Sequence, residues 1–188
     1  MTEDAKATVC AEAKPAADAA AAKPKEKRSD NPDAVRAVAR HHKKYNCAQA
    51  VACSFCEQLG RDEKEVFQLM EGFGFGMGSM GTCGAVSAMA AVVGMKESDG
   101  NLDSPASKRK SYRAAKELIR RFEEKNGSVI CREIKGVDTK KGRRSCDGCV
   151  EDAAELVGPY LIGEFDAVFE EAAKKEAAKE AARKAAKK

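Results

Sequence analysis

Residues 72–94 read GFGFGMGSMGTCGAVSAMAAVVG, and two opposite backbone demands meet inside them. Glycines at 72, 74, 76, 78 and 81 exclude a stable helix over the first half, because they raise its entropy cost and admit unusual backbone angles. From Ala85 to Gly94 the residues are small and mostly apolar, the composition of a short buried helix closed by a glycine. Cys83 stands at the junction, so it opens that helix directly after the glycine loop. A helix of alanine and valine buried on all sides needs other helices around it, and the flanking sequence supplies them.

Toward the N-terminus, Asp30 or Asn31 caps a helix with Pro32 in its first turn and Val35, Val38 and Ala39 as its apolar stripe. The stripe fades at His41-His42-Lys43-Lys44. A second helix is predicted from Asn46 to Gly60, with Ala48, Val51, Ala52, Phe55 and Leu59 on one face. A third runs from Asp62 to Gly72, with Glu65 completing a capping-box-like pair. Toward the C-terminus, the polar loop KESDGNLD (96–103) leads to a long amphipathic helix from Ser104 or Pro105 to Asn126. It turns Tyr112, Ala115, Leu118, Ile119 and Phe122 inward and stops at Gly127. Residues 128–136 carry Cys131 in a short helix. A last core helix begins near Cys146 and presents Val150, Ala153, Ala154, Leu156 and Val157, with Pro159 kinking or ending it. No alternating strand pattern of useful length occurs, so the expectation is an all-α protein, a compact helical bundle with a glycine-rich loop over residues 30–163.

Two extensions flank that domain. Residues 1–29 are rich in Ala, Lys and Pro with almost nothing large and apolar, which predicts disorder. Residues 164–188 end in EEAAKKEAAKEAARKAAKK, an Ala/Lys/Glu-rich helical tail supported by Glu–Lys pairs four apart and lacking an apolar stripe. The charge surplus follows the same division. Residues 1–28 carry six basic and five acidic side chains and residues 170–188 seven and four, which leaves 21 of each sign between. That balance, with no basic groove interleaved with aromatics, argues against nucleic acid. No run approaches the roughly 20 apolar residues of a membrane span, and the N-terminus lacks the pattern of a secretory signal. A cytoplasmic setting is expected, where dense cysteine use points to metal or redox chemistry more than to stapling.

Eight cysteines stand at 10, 47, 53, 56, 83, 131, 146 and 149. Free cysteine is often simple packing, so position decides its reading. Cys47, Cys83 and Cys146 each fall at a predicted helix N-terminus, where unpaired N–H groups and the helix dipole favour a thiolate able to hold metal or attack a disulfide. Cys146-Asp-Gly-Cys149 has the spacing of a metal knuckle or a redox dithiol. Cys53 and Cys56 project roughly 240° and 180° from Cys47 on one α-helix, so that helix cannot aim all three at one centre. They read as structural, or as a secondary dithiol. Cys10 falls in the disordered segment and reads as a bystander. His41 and His42 read as solvated and outside the site. Gly76-Met-Gly78-Ser-Met-Gly81 matches G-x-G-x-x-G but follows a helix and has no βαβ frame, so the dinucleotide reading fails its context. The glycines either bring backbone N–H groups against a thiolate or anionic cluster, or simply let helices cross closely. No Ser-His-Asp set, carboxylate pair or P-loop can be assembled.

The segments NCAQAV (46–51), GFGFGM ahead of GTCGAVS (81–87), CREI (131–134) and C-x-x-x-V (146–150) together resemble the C_GCAxxG_C_C family of redox-active proteins over roughly residues 33–162. One departure is Ala88, where that signature closes on glycine. The resemblance maps the family's four cysteines onto Cys47, Cys83, Cys131 and Cys146, with Cys53, Cys56 and Cys149 as extras and Cys149 an alternative member of the set. It implies an all-helical fold similar to the helical part of split-Soret-type cytochromes, although the C-x-x-C-H haem signature is absent. Three expectations follow. The first is an iron–sulfur cluster held by the four thiolates, with Gly76, Gly78, Gly81, Thr82 and Gly84 as its backbone cradle and a protein redox partner receiving electrons. The second is a closed zinc site of four cysteines, and the third a metal-free thiol–disulfide oxidoreductase.

Overall fold

The structure is a computed structural model that describes residues 28–185; Cys10 and most of the segment expected to be disordered lie outside them. Among the described residues the chain is all-α, with helices α1 (Pro32–His42), α2 (Cys47–Ala52), α3 (Glu63–Met70), α4 (Gly84–Glu97), α5 (Lys108–Asn126), α6 (Cys131–Lys135), α7 (Cys146–Leu161) and α8 (Asp166–Ala185). Helix α4 sits at the centre, packed by α2, α5 and α7, while α1 lies along α7. Phe55, Met70, Met89, Leu118, Phe122, Val150, Val157 and Tyr160 fill the interior at 1 % exposure or less. Each such large side chain contributes about 1.5–3 kcal/mol on burial.

Local chemistry sets the helix starts. Asn31 accepts from the N–H groups of Asp33 and Ala34 and caps α1, with Pro32 as its first residue. Asn46 forms a reciprocal capping box with Gln49, which fixes Cys47 as the first residue of α2. Asp62 accepts from Glu65 N–H at 2.8 Å, and Ser145 caps α7 through Gly148 N–H, so Cys146 is again a first residue. Gly127 and Gly136 end α5 and α6 in left-handed conformations.

Several boundaries differ from the sequence reading. The expected 46–60 helix is α-helical only to Ala52; Cys53–Phe55 tighten into a 3-10 turn and residues 56–60 are turns. Ser54 Oγ returns a hydrogen bond to Ala50 O at 2.8 Å, the back-bonding that disturbs a regular helix. Helix α4 continues three residues past Gly94, to Glu97. Helix α5 begins at Lys108, because residues 99–107 are held in Asx turns made by Asp99 and Asn101. Pro159 sits in the last turn of α7, two residues before its end. Tyr112, expected inward, is 67 % exposed in a groove with Arg113 and Glu176, and Val35 is 53 % exposed because α1 buries Ala34, Ala37 and Val38 against α7.

The glycine run behaves as its composition demands. After a 3-10 turn at Glu71–Phe73, residues 75–80 form a widened turn with left-handed φ at Phe75 (53°), Gly76 (60°), Met77 (57°), Gly78 (68°) and Met80 (58°). The chain then straightens, and Thr82 makes an isolated antiparallel bridge with Ile130. Cys83 N–H donates to Val129 O at 2.8 Å and Cys131 N–H to Gly81 O at 2.7 Å. This short pairing clamps the start of α4 to the start of α6.

The two flanks are more attached than their composition suggests. Arg28 pairs with Asp147 at 2.8 Å and Ser29 N–H donates to Glu151, so the chain is already tied to α7 before α1 begins. Helix α8 docks at its first turns: Phe169 stacks edge-on against Tyr160 and Phe165, and Glu176 pairs with Arg113 at 3.0 Å.

Candidate functional site

Four helix starts converge on one cavity. Cys47, Cys131 and Cys146 are the first residues of α2, α6 and α7, and Cys83 occupies the cap position of α4. All four, with Cys149 from the first turn of α7, line a cavity of about 170 Å³. Asn46, His41, Phe75, Ile134, Lys135 and Arg144 complete its wall. Cys83, Cys131 and Cys149 are buried, Cys47 half-buried and Cys146 exposed.

Hydrogen bonds to sulfur come from backbone and side chain alike. The Phe75 N–H donates to Cys47, and the Ala85 and Val86 N–H groups at the start of α4 donate to Cys83. Cys149 lends its S–H to Cys83, and that bond is the largest cause lowering the Cys83 thiol, ahead of the opposing effect of burial, to about 7. The same bond, with burial, pushes Cys149 upward. Burial and the neighbouring sulfurs raise Cys131 to about 11, and burial raises Cys47. The pocket therefore favours a thiolate at Cys83, while Cys47, Cys131 and Cys149 hold their protons more tightly. Lys135 Nζ lies 3.7 Å from Cys146 Sγ and 5.6 Å over the Phe75 ring, bringing a cation to the mouth.

Gly84 packs directly on the site: a Cβ there would lie 2.5 Å from Cys47 Sγ and 2.8 Å from Phe73 O. At Gly76 it would meet Gly81 N at 2.7 Å and Cys131 Cβ at 3.0 Å. These two glycines permit close approach behind two cysteines. Gly78 has open space around it, and none of Gly76, Gly78, Gly81, Thr82 or Gly84 lines the cavity wall itself.

Cys53 and Cys56 face elsewhere. In the 3-10 turn, residues three apart share one side, so Cys53 and Cys56 hydrogen-bond to each other. Cys53 lies on a second cavity with Arg36, Arg40, Glu57 and Glu63. Burial pushes Cys53 up to about 12 and raises Cys56, which keeps both protonated.

The sequence reading places His41 in solvent, yet it lines the cavity and its Nδ1 is 2.6 Å from Asp147 Oδ1; His42 Nε2 is 3.0 Å from Oδ2. With Arg28, these partners hold the Asp147 carboxyl well below its ordinary range despite its partial burial. Arg144 is a wall residue that sequence reasoning missed. It reaches Asp152 at 2.9 Å and Glu151 at 3.1 Å, and Lys125 adds a contact to Asp152 at 2.7 Å. The sequence signals were present in each case: an Asp inside the C-D-G-C spacing, and an Arg pair just before it. What was missing was, for His41, the packing of α1 along α7 and, for Arg144, its return onto Glu151 and Asp152 of α7.

The donor set suits a thiophilic inorganic group: five sulfurs, N–H donors aimed at two of them, and a mostly apolar wall. Among the described residues, no three His, Cys, Asp or Glu side chains are grouped as a ready-made site for a single metal ion. Residues 45–160 match the family model described as "Putative redox-active protein (C_GCAxxG_C_C)". No curated protein and no solved structure matches the chain.

Proposed function

Because the chain belongs to the C_GCAxxG_C_C family of redox-active proteins, we propose that its cavity holds an iron–sulfur cluster through Cys47, Cys83, Cys131 and Cys146 and exchanges electrons with a partner protein. The observation that carries the reading is the convergence of these cysteines, from four helix starts, on one cavity. Four cysteine thiolates around one space are the ligand set that iron–sulfur clusters take. When bound, the cluster supplies a one-electron couple. The chain's own groups orient and tune: Phe75, Ala85 and Val86 aim N–H groups at Cys47 and Cys83, and Lys135 and Arg144 place positive charge on the wall. Protein prepared without oxygen will be brown and contain iron and acid-labile sulfide. Colourless protein that takes up neither on reconstitution sinks the proposal, and one zinc per chain in its place establishes the zinc site.

A second reading is favoured by the S–H···S bond between Cys149 and Cys83. In it the Cys83 thiolate attacks one sulfur of a partner's disulfide and releases the other as a thiolate. Cys149 then gives up its proton, attacks the Cys83 sulfur of the mixed disulfide and frees the partner's second thiolate. The partner is reduced to a dithiol by two electrons and Cys83–Cys149 is oxidised to a disulfide. Metal-free protein would then lose two titratable thiols reversibly on mild oxidation.

A further inference from the structure

The mouth of the cavity is built unlike the rest of the surface. Phe75 forms part of its wall yet is 47 % exposed, and next to it Met77 is 50 % and Phe73 36 % exposed. Phe75 and Met77 are held at φ 53° and 57°, a region that large side chains rarely occupy. The turn thus keeps apolar side chains in water beside the site when a relaxed backbone would turn elsewhere.

The segment that adjoins this wall through Lys135 is basic. From Cys131 to Ser145 it carries six basic residues, Arg132, Lys135, Lys140, Lys141, Arg143 and Arg144, against two acids, Glu133 and Asp138, and Arg144 is engaged by Glu151 and Asp152. Asp138 is already engaged by Arg132 at 2.5 and 2.7 Å, and Glu133 accepts from Ser128 Oγ at 2.6 Å. Residues 136–143 fold back on α6: Arg143 N–H donates to Ile134 O at 2.8 Å, and Gly136 packs on the backbone of Lys141 and Gly142. Lys140, Lys141 and Arg143 are exposed on this fold. Lys135 joins the two halves, with its ammonium over Phe75 and beside the exposed Cys146.

We propose that this face, the Phe73–Phe75–Met77 platform with Lys135 and the adjoining exposed segment of Lys140, Lys141 and Arg143, is the docking surface for an acidic protein electron carrier. An apolar centre excludes water beside the cavity wall that Phe75 forms, while the adjoining charge steers encounter and sets orientation without tight binding. The local surplus of positive charge makes the complementary face acidic. The small platform makes the complex transient, as electron-transfer encounters are. This inference rests on the redox reading of the cavity and names its partner by charge.

The test uses the full chain titrated with an acidic plant-type ferredoxin and, separately, with the basic carrier cytochrome c, each by calorimetry. Ferredoxin will bind at low ionic strength and lose about tenfold or more in affinity at roughly 0.3 M salt. Lys140→Glu/Lys141→Glu will weaken it about tenfold, and Met77→Ser will weaken it at both salt concentrations. Lys174→Glu/Lys179→Glu, the same charge change on α8, will leave it unchanged. Equal affinity for cytochrome c, an equal effect of the α8 variant, or displacement of ferredoxin by a DNA duplex at the same salt overturns the proposal, as does absence of ferredoxin binding. Iron-free protein that still binds ferredoxin removes the cluster and keeps the surface; iron-bearing protein that does not bind removes the surface alone.

Discussion

The thiol of Cys149, in the first turn of α7, donates its proton to the sulfur of Cys83 at the cap of α4. One hydrogen bond thereby joins two helices and makes the two sulfurs chemically unequal. Cys83 is the acidic member, at about 7, and Cys149 the proton holder.

This inequality is testable in metal-free, reduced protein. Replacing Cys149 by Ala removes the donor and will raise the Cys83 thiol by about one unit or more, read as the pH midpoint of its thiolate absorbance with alkylation mapped to Cys83. Cys149→Ser keeps an O–H donor and will shift it less. The sign for stability follows: the thiolate's contribution is complete above its ordinary value of 9.0 and is lost as pH falls through about 7. Thermal unfolding of the metal-free wild type will therefore gain stability between pH 7 and 9 relative to Cys149→Ala.

Ligand substitution separates the cysteines. Cys83→Ser will abolish iron and sulfide retention, whereas Cys10→Ser and Cys53→Ser will leave both at wild-type levels by elemental analysis. Loss of the metal in Cys53→Ser alone would overturn the ligand assignment, since Cys53 lies on the other cavity.

Gly84→Ala tests close packing at the site. Its new methyl must displace Cys47 Sγ, 2.5 Å away, and the fixed carbonyl of Phe73 at 2.8 Å. The expected cost is about 1–3 kcal/mol of unfolding free energy, measured by urea denaturation, with iron content falling further than stability alone accounts for. Ala at Gly78, which has open space but φ 68°, will cost about 1 kcal/mol and spare the iron.

Asp147 governs the acid limit. Its carboxyl is held below the ordinary range by Arg28, His42 and His41, so its stabilising share is full above the unfolded value near 4 and fades as pH falls through the lower folded value. The melting temperature of the wild type will drop between about pH 5 and 3, and that of Asp147→Asn will drop less steeply from a lower starting point.

Asp152 has a fully buried side chain, paired with Lys125 at 2.7 Å and Arg144 at 2.9 Å. Asp152→Ala removes the buried carboxylate that both cations share, leaving Arg144 to Glu151 and Lys125 to Glu155, and will cost about 1–3 kcal/mol by urea denaturation. Because Arg144 also lines the cavity, the variant's cofactor, if retained, will show a shifted reduction potential.

Much of this architecture is written locally. Asn46, Asp62 and Ser145 cap their helices through bonds two or three residues away, and Gly127 ends α5 at the residue itself, so no distant partner is needed to place Cys47 or Cys146 at a helix start. The glycine spacing from 72 to 81 likewise announced a stretch that is no regular helix and takes unusual backbone angles before Cys83. The sequence alone thus determined an all-α chain, most helix starts and the thiols that open them, because capping and backbone freedom are short-range. Tertiary structure decided the rest. It took the Thr82–Ile130 bridge to bring Cys131 to Cys83, and the packing of α1 along α7 to set His41 on Asp147 and the cavity wall. Those outcomes depend on contacts between segments far apart in the chain, which periodicity does not encode.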